Sequence, residues 1–219
     1  MFHPNDSPME RGWVGRLDGD RVLHLAAQTL QSFFLGGSGA REHADYALAD
    51  VTLLVPVQYP PTVRVFSADG SFRFANAAAV IGPNVPVQGG PLTACARIAA
   101  VIGAGGAIGG YSALLEWQDP AEQPAAKQSD FGLVLGPIVV TPDEIEPASA
   151  VCQLRVGDRQ ETGAPALFSW PEAISLAARR TLLRPGDVIA GPPVVALDGV
   201  TPGAQLEVEG IGTLDCPIG

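Results

Sequence analysis

The residues of this chain that could do chemistry are few, and the most conspicuous run of them fails its own test. Val101-Ile102-Gly103-Ala104-Gly105-Gly106-Ala107-Ile108-Gly109 follows an apolar strand, and such glycines could let a backbone approach a dinucleotide pyrophosphate at a helix N-terminus. With Gly103 and Gly105 as the first two glycines, however, the sixth position is Ile108. A ribose-binding acid about 20 residues further on is also missing. The run is therefore read as a structural loop between two strands. Cys95, Cys152 and Cys216 are odd in number and widely spaced. Without a CxxC pair or a Cys/His cluster they suggest neither a disulfide framework nor a zinc site, and they are expected as small buried hydrophobes. His3, His24 and His43 are read as ordinary surface or core side chains. Lys127 and Asp130, three residues apart, could face a pocket or form a surface pair, and residue type alone leaves both open.

The elements that must position such residues are mostly strands. Trp13 to Leu17, the Asp18-Gly19-Asp20 turn and Arg21 to Ala26 read as a hairpin, followed by a short helix through Gln28 to Phe34 that Leu35-Gly36-Gly37-Ser38-Gly39 ends. Ala40 to Ala44 reads as a polar linker. It divides a small N-terminal α/β module, 1–45, from a larger domain, 46–219. Strand-like runs follow at Val51 to Val57, Thr62 to Phe66, Phe72 to Phe74 and Ala79 to Gly82. Ala96 to Ile102, Tyr111 to Trp117 and Phe131 to Val140, the last interrupted by Gly136-Pro137, continue the series. Val151 to Val156 turns at Gly157-Asp158 into Arg159 to Thr162, the clearest hairpin in the chain. One convincing helix starts near Trp170-Pro171-Glu172 and runs to Arg179-Arg180, with proline in the first turn where its missing N–H costs nothing. Val188-Ile189, Gln205 to Val208 and Gly212-Thr213-Leu214 complete the sheet.

Composition agrees with a mixed, β-rich α+β fold. Of the 219 residues, 47% are hydrophobic and only 16% charged, with 26 Gly and 20 Pro, which favours short strands joined by tight turns around a real core. A formal net charge of -10 would repel nucleic-acid phosphates, so nucleic acid is excluded as a partner. No run approaches the roughly 20 apolar residues of a membrane span. Met1 to Gly12 is polar and broken by Pro4 and Pro8, unlike a signal peptide, and a reduced cytoplasmic location is expected.

Four stretches together resemble the fumarylacetoacetate hydrolase family, in the family's order. Phe72-Arg73-Phe74-Ala75-Asn76-Ala77-Ala78-Ala79-Val80-Ile81-Gly82-Pro83 leads to a "VGPGDPV"-like turn. Arg97-Ile98-Ala99-Ala100-Val101-Ile102-Gly103 matches an "ELAVVIG" strand, and Gly110-Tyr111-Ser112 a "GYT" opening. Lys127 through Asp130 to Leu135-Gly136-Pro137, with Thr141-Pro142-Asp143-Glu144-Ile145 beyond, is similar to "K-x-F-D-x-x-x-P-L-G-P … T-x-D-E-I". Phe168-Ser169-Trp170-Pro171-Glu172 opens the fourth stretch, which passes Leu183-Arg184-Pro185-Gly186-Asp187 and closes on Glu207-Val208-Glu209-Gly210-Ile211-Gly212-Thr213-Leu214. That closing "EVEGIGTL" is the most specific match. The resemblance implies a compact β-roll core, usually dimeric.

It also implies a chemistry that this sequence departs from. Family members act on 2-oxo acids and 1,3-dicarbonyl compounds through Mg2+ or Mn2+ held by three carboxylates, two of them an E-x-E pair on one strand face. Those positions correspond here to Cys95 and Arg97, and the third ligand to Glu116. A permanent guanidinium stands where a hard cation needs oxygen, so no metal or other cofactor is expected. The histidine-bearing lid is also missing, because Phe66 reaches Phe72 through only Ser67-Ala68-Asp69-Gly70-Ser71. So is the threonine of a "TGTP" loop, where Ile189 runs into Ala190-Gly191-Pro192-Pro193.

The favoured expectation is a metal-independent hydrolase, lyase or isomerase of a small carbonyl acid. In it Arg97 and Lys127 supply fixed positive charge, and Glu116 or Asp130 acts as acid or base. The alternative is a catalytically degenerate paralogue in which Arg97 and Glu116 pair to fill the vacated site, leaving a ligand-binding protein or a partner for an active paralogue. A metal site with ligands drawn from elsewhere ranks last. The expected assembly is a homodimer.

Overall fold

The computed structural model describes residues 1–37, 39–165, 167–201 and 203–217; Ser38 of the first loop lies outside them. Two short strands, β1 (Phe2–Pro4) and, further on, β5 (Val51–Leu53), pair antiparallel. Between them in sequence, β2 (Gly15–Asp18), β3 (Arg21–Leu25) and β4 (Glu42–Ala47) form a three-stranded sheet, with helix α1 (Leu30–Leu35) between β3 and β4. Thr29 caps α1 by accepting from the Ser32 backbone N–H, while the Ser32 hydroxyl accepts from that of Thr29. The expected linker at Ala40 to Ala44 is corrected here, since most of it belongs to β4. Its polar residues are exposed on an edge strand, and this hides the alternation by which a half-buried strand is recognised.

The main sheet runs β7-β6-β14-β9-β10-β11-β8. Its members are β6 (Val63–Phe66), β7 (Phe72–Ala75), β8 (Val80–Ile81), β9 (Leu92–Ile102), β10 (Ile108–Gln118), β11 (Leu133–Leu135) and β14 (Val188–Ala190). The expected strand over Phe131 to Val140 shrinks to β11, because the chain leaves the ladder at Gly136. A second sheet, β13-β12-β16-β17, contains the hairpin β12 (Cys152–Val156) and β13 (Arg159–Gly163) with β16 (Ala204–Val208) and β17 (Gly212–Cys216). Helix α2 (Trp170–Ala177) is capped by Ser169, which accepts from the Glu172 N–H. Besides β4, two strands went unforeseen: β1, and β15 (Val195–Val200), which adds to β9.

Long β9 and β10 are the spine. They pair over their whole length in antiparallel register, with Leu114 opposite Arg97 and Glu116 opposite Cys95. Alternate residues face opposite sides. Ala94, Ala96, Ile98, Ala100 and Ile102 join the core shared with the second sheet and α2, while Ala99, Val101 and Leu114 pack with Val63, Val65 and Val188 on the other face. Small alanines along β9 let both layers approach the sheet closely. The far edge of β9 is divided. β14 takes its C-terminal half, with Ala190 opposite Ala99, and β15 its N-terminal half, with Val195 opposite Ala96. The crossing between them is held by the Gly191 N–H donating to Ile98 and the Val194 N–H to Ala96. The glycine-rich loop is the β9–β10 turn, as read from its failed spacing. This mostly β architecture is that of the expected roll.

Candidate functional site

Strand parity decides what Cys95, Arg97 and Glu116 share. Cys95 and Arg97 alternate on β9 and therefore point to one face, and the register puts Glu116 directly across from Cys95 and diagonal to Arg97. The pairing follows. Arg97 Nε donates to Glu116 Oε2 at 2.8 Å and Nη2 lies 2.7 Å from the same oxygen. Arg97 Nη1 donates to the carbonyls of Phe66, at 3.0 Å, and Gly191, at 2.7 Å. Glu116 is fully buried and Arg97 is 5% exposed.

Arg73 on β7 completes the cluster and was missed from sequence. Its guanidinium donates to the other carboxylate oxygen, Glu116 Oε1, while 41% of its side chain remains exposed. The short β6–β7 hairpin makes this reach. The Ser67 and Ser71 backbones close it, and Asp69 accepts from both the N–H and the hydroxyl of Ser71. A signal existed in the Phe72-Arg73-Phe74 pattern, where an arginine sits between two apolar strand residues, but nothing in the sequence pairs it with a residue 43 positions away.

Two carboxylates and two cations are bonded apart from the cluster. Lys127, in a 3-10 turn over Ala125–Lys127, bonds Asp130, and both are more exposed than the buried trio. The hydrogen bond to Asp130 holds Lys127 above its ordinary pKa, and the reciprocal bond lowers that of Asp130. Both groups therefore stay charged near neutrality. The Asn76 amide donates to the Asp130 carbonyl at 3.4 Å, tying this loop to the chain just beyond Arg73. Asp198 is held by the Thr93 hydroxyl at 2.8 Å, one strand pair further out from Cys95, and Arg159 donates to its carbonyl. The structure thus brings Arg97 to Glu116 and Lys127 to Asp130 as two separate pairs.

The donor set does not suit a hard divalent cation. Burial pushes the Cys95 thiol up to about 11 against the opposing influence of Arg97, so it is neutral and a poor partner for Mg2+ or Mn2+. The guanidinium fills the space beside the single carboxylate. Among the described residues no cluster of three His, Cys, Asp or Glu side chains could hold a metal. The other two cysteines are buried as expected, with Cys152 pushed to about 12 by burial. The histidines lie away from this site: His24 stacks on Trp13 with ring centroids 4.5 Å apart, and His43 sits 5.4 Å from His24.

Comparison with known proteins follows the fold. The chain superposes on maleylpyruvate hydrolase from Sphingobium sp. SYK-6 with a TM-score of 0.79 at 21% identity, covering 95% of this chain and 96% of that one. The same enzyme has been crystallised with manganese(II) and pyruvate. 2-Hydroxyhepta-2,4-diene-1,7-dioate isomerase from Mycobacterium marinum superposes with a TM-score of 0.78 at 21% identity, covering 94% and 92%. 5-Carboxymethyl-2-hydroxymuconate delta-isomerase from Mycobacterium smegmatis gives 0.75 at 22%, covering 99% and 97%. At these identities the likeness establishes the fold. No curated protein sequence matches the chain. Residues 78–218, well over half the chain and the segment that carries β8 to β17, match the family described as fumarylacetoacetate (FAA) hydrolase C-terminal, and the chain belongs to that family.

Proposed function

We propose that this chain is a divergent member of its family in which an Arg97–Glu116–Arg73 cluster stands in the metal position, and that it binds small carboxylic acids without metal-assisted bond cleavage. The observation that carries this is the inward commitment of Arg97. Its Nε and Nη2 go to Glu116 and its Nη1 to two backbone carbonyls, so four of its five N–H donors are taken inside the protein and the side chain is enclosed, turned away from a substrate enolate. Glu116 is in turn held on both oxygens by arginine, and it is fully buried, so it is not presented to a substrate. Such a protein serves as a ligand-binding subunit or as a partner of an active paralogue.

A second reading, metal-independent catalysis on a 2-oxo acid or 1,3-dicarbonyl compound, is favoured by one observation. Lys127 and Arg73 keep exposed side chains, and Asp130 is half-buried. Against it, Lys127 and Asp130 neutralise each other and neither is poised near neutral pH.

The deciding experiment combines elemental analysis of purified protein with assays of acylpyruvate hydrolysis and oxaloacetate decarboxylation, with and without Mn2+ and Mg2+. Metal-free protein without turnover is the expected result. Turnover independent of added metal would establish the second reading instead. Manganese-dependent turnover, or one divalent ion per chain, would overturn both.

A further inference from the structure

Two guanidiniums and one carboxylate meet in the cluster, so its hydrogen-bonded groups carry one positive charge more than they neutralise. Arg97 is enclosed, and its charge is spread over Glu116 and two carbonyls. The surplus therefore resides on Arg73. One N–H of that guanidinium is held by Glu116, while the side chain is 41% exposed, so its other N–H donors are not committed to that carboxylate. Arginine presents five donors in a planar fork, and a fork with one N–H already anchored offers its other donors at a set angle, with little orientational freedom left to lose on binding.

Among the described residues Arg73 is paired with Glu116, and that carboxylate does not cancel the surplus. Glu116 is shared with Arg97, and Asp130 is bonded by Lys127. Asp198 is held by Thr93 on the far side of Cys95, and Cys95 is a neutral thiol. Phe72 and Phe74 flank Arg73 in sequence on β7, and Phe74 is 65% exposed. By strand parity both rings project to the face opposite Arg73, where Phe74 lies under the Arg64 guanidinium, 5.1 Å from its ring centre, so the Arg73 donors are not covered by them.

We propose that Arg73 is the ligand-anchoring residue of this protein: its uncommitted guanidinium donors bind the carboxylate of a small monoanionic acid bidentately, with Glu116 acting as the brace that aims them. This deepens the reading of the site as metal-free and rests on it. One surplus charge matches one carboxylate, whereas a phosphate dianion would leave negative charge uncompensated beside Glu116.

The test uses the full chain with pyruvate as probe, inorganic phosphate as competitor, and metal content measured on the same samples. Calorimetry should show pyruvate binding to the wild-type protein. Binding should weaken at least tenfold in Arg73→Gln, and several-fold in Arg73→Lys, which keeps the charge and loses the fork. The Lys variant keeps the test decisive should the Gln variant fold poorly. Equal pyruvate affinity in wild type and both variants, no pyruvate binding by the wild type, or phosphate binding as tightly as pyruvate would each overturn the anchor. A stoichiometric divalent ion in those samples would instead overturn the underlying reading of the site.

Discussion

A buried carboxylate with two arginines on it is a high-stakes arrangement, because desolvation makes each partner indispensable to the other. Arg97→Ala should leave Glu116 fully buried with only the half-exposed Arg73, and should cost roughly 3–5 kcal/mol of stability in urea denaturation. Removing the charge from both partners, with Arg97→Met and Glu116→Gln together, should cost less than Arg97→Ala alone. A double change in the other direction tests where the three positions point. Cys95→Glu with Arg97→Glu places three carboxylates on one strand face with Glu116, and the folded double variant should bind Mn2+ or Mg2+ by calorimetry. A folded variant that binds neither ion would show that the three side chains do not converge. The cysteines make a separate prediction. Burial raises Cys95 to about 11 and Cys152 to about 12 from an ordinary 9.0. A thiol whose folded pKa is raised adds stability that is complete below pH 9.0 and is lost as pH climbs through the folded values. Urea midpoints should therefore hold steady up to about pH 9 and fall between there and pH 11 to 12, more gently in Cys152→Ala. A midpoint unchanged at pH 11 would contradict the burial of these thiols.

At the scale of elements, the β9–β10 turn shows how glycine can be demanded by packing alone. A Cβ on Gly109 would come within 2.7 Å of the Phe34 ring, which fastens α1 against the spine, and one on Gly103 within 3.0 Å of the Gly109 backbone. Gly109→Ala should therefore cost about 1–3 kcal/mol by overpacking, and should first loosen α1, read as faster amide exchange over Leu30–Leu35. Phe34→Leu in the same background should recover part of that loss, since a smaller side chain vacates the contact. The turn that resembled a nucleotide loop is thus a clasp between the N-terminal helix and the sheet. The β6–β7 hairpin is the other element with consequences. Its brevity brings Arg73 to Glu116, and a longer excursion between Phe66 and Phe72 would place a different residue over the cluster.

For the whole molecule, the family's usual assembly and the edge strand β7 with its exposed Phe74 motivate a homodimer as the expected solution state. Light scattering at micromolar concentration should give about twice the chain mass of 22.6 kDa, and a monomer would exclude it. No described helix is long and apolar enough to cross a membrane.

What the sequence determined by itself was everything local. Alternating apolar residues, turn glycines and a proline-led helix start marked most strands and α2, and motif order along the chain pointed to the family. That Cys95 and Arg97 share a face was legible too, because a strand's period of two puts both on one side wherever the strand lies. Tertiary structure decided the rest. β15 hid in Val195–Val200 because its ladder partner, the vacant half of β9, is about a hundred residues away and strand pairing is non-local. β4 hid because an exposed edge strand needs no apolar alternation. Whether Arg97 reaches outward to a ligand or inward to Glu116, Phe66 and Gly191 depended on the β9–β10 register and on the crossing at Gly191. Neither is encoded by neighbouring residues. Arg73 was the residue furthest from view, since a hydrogen bond spanning 43 positions exists only once the five strands from β7 to β10 have been laid side by side.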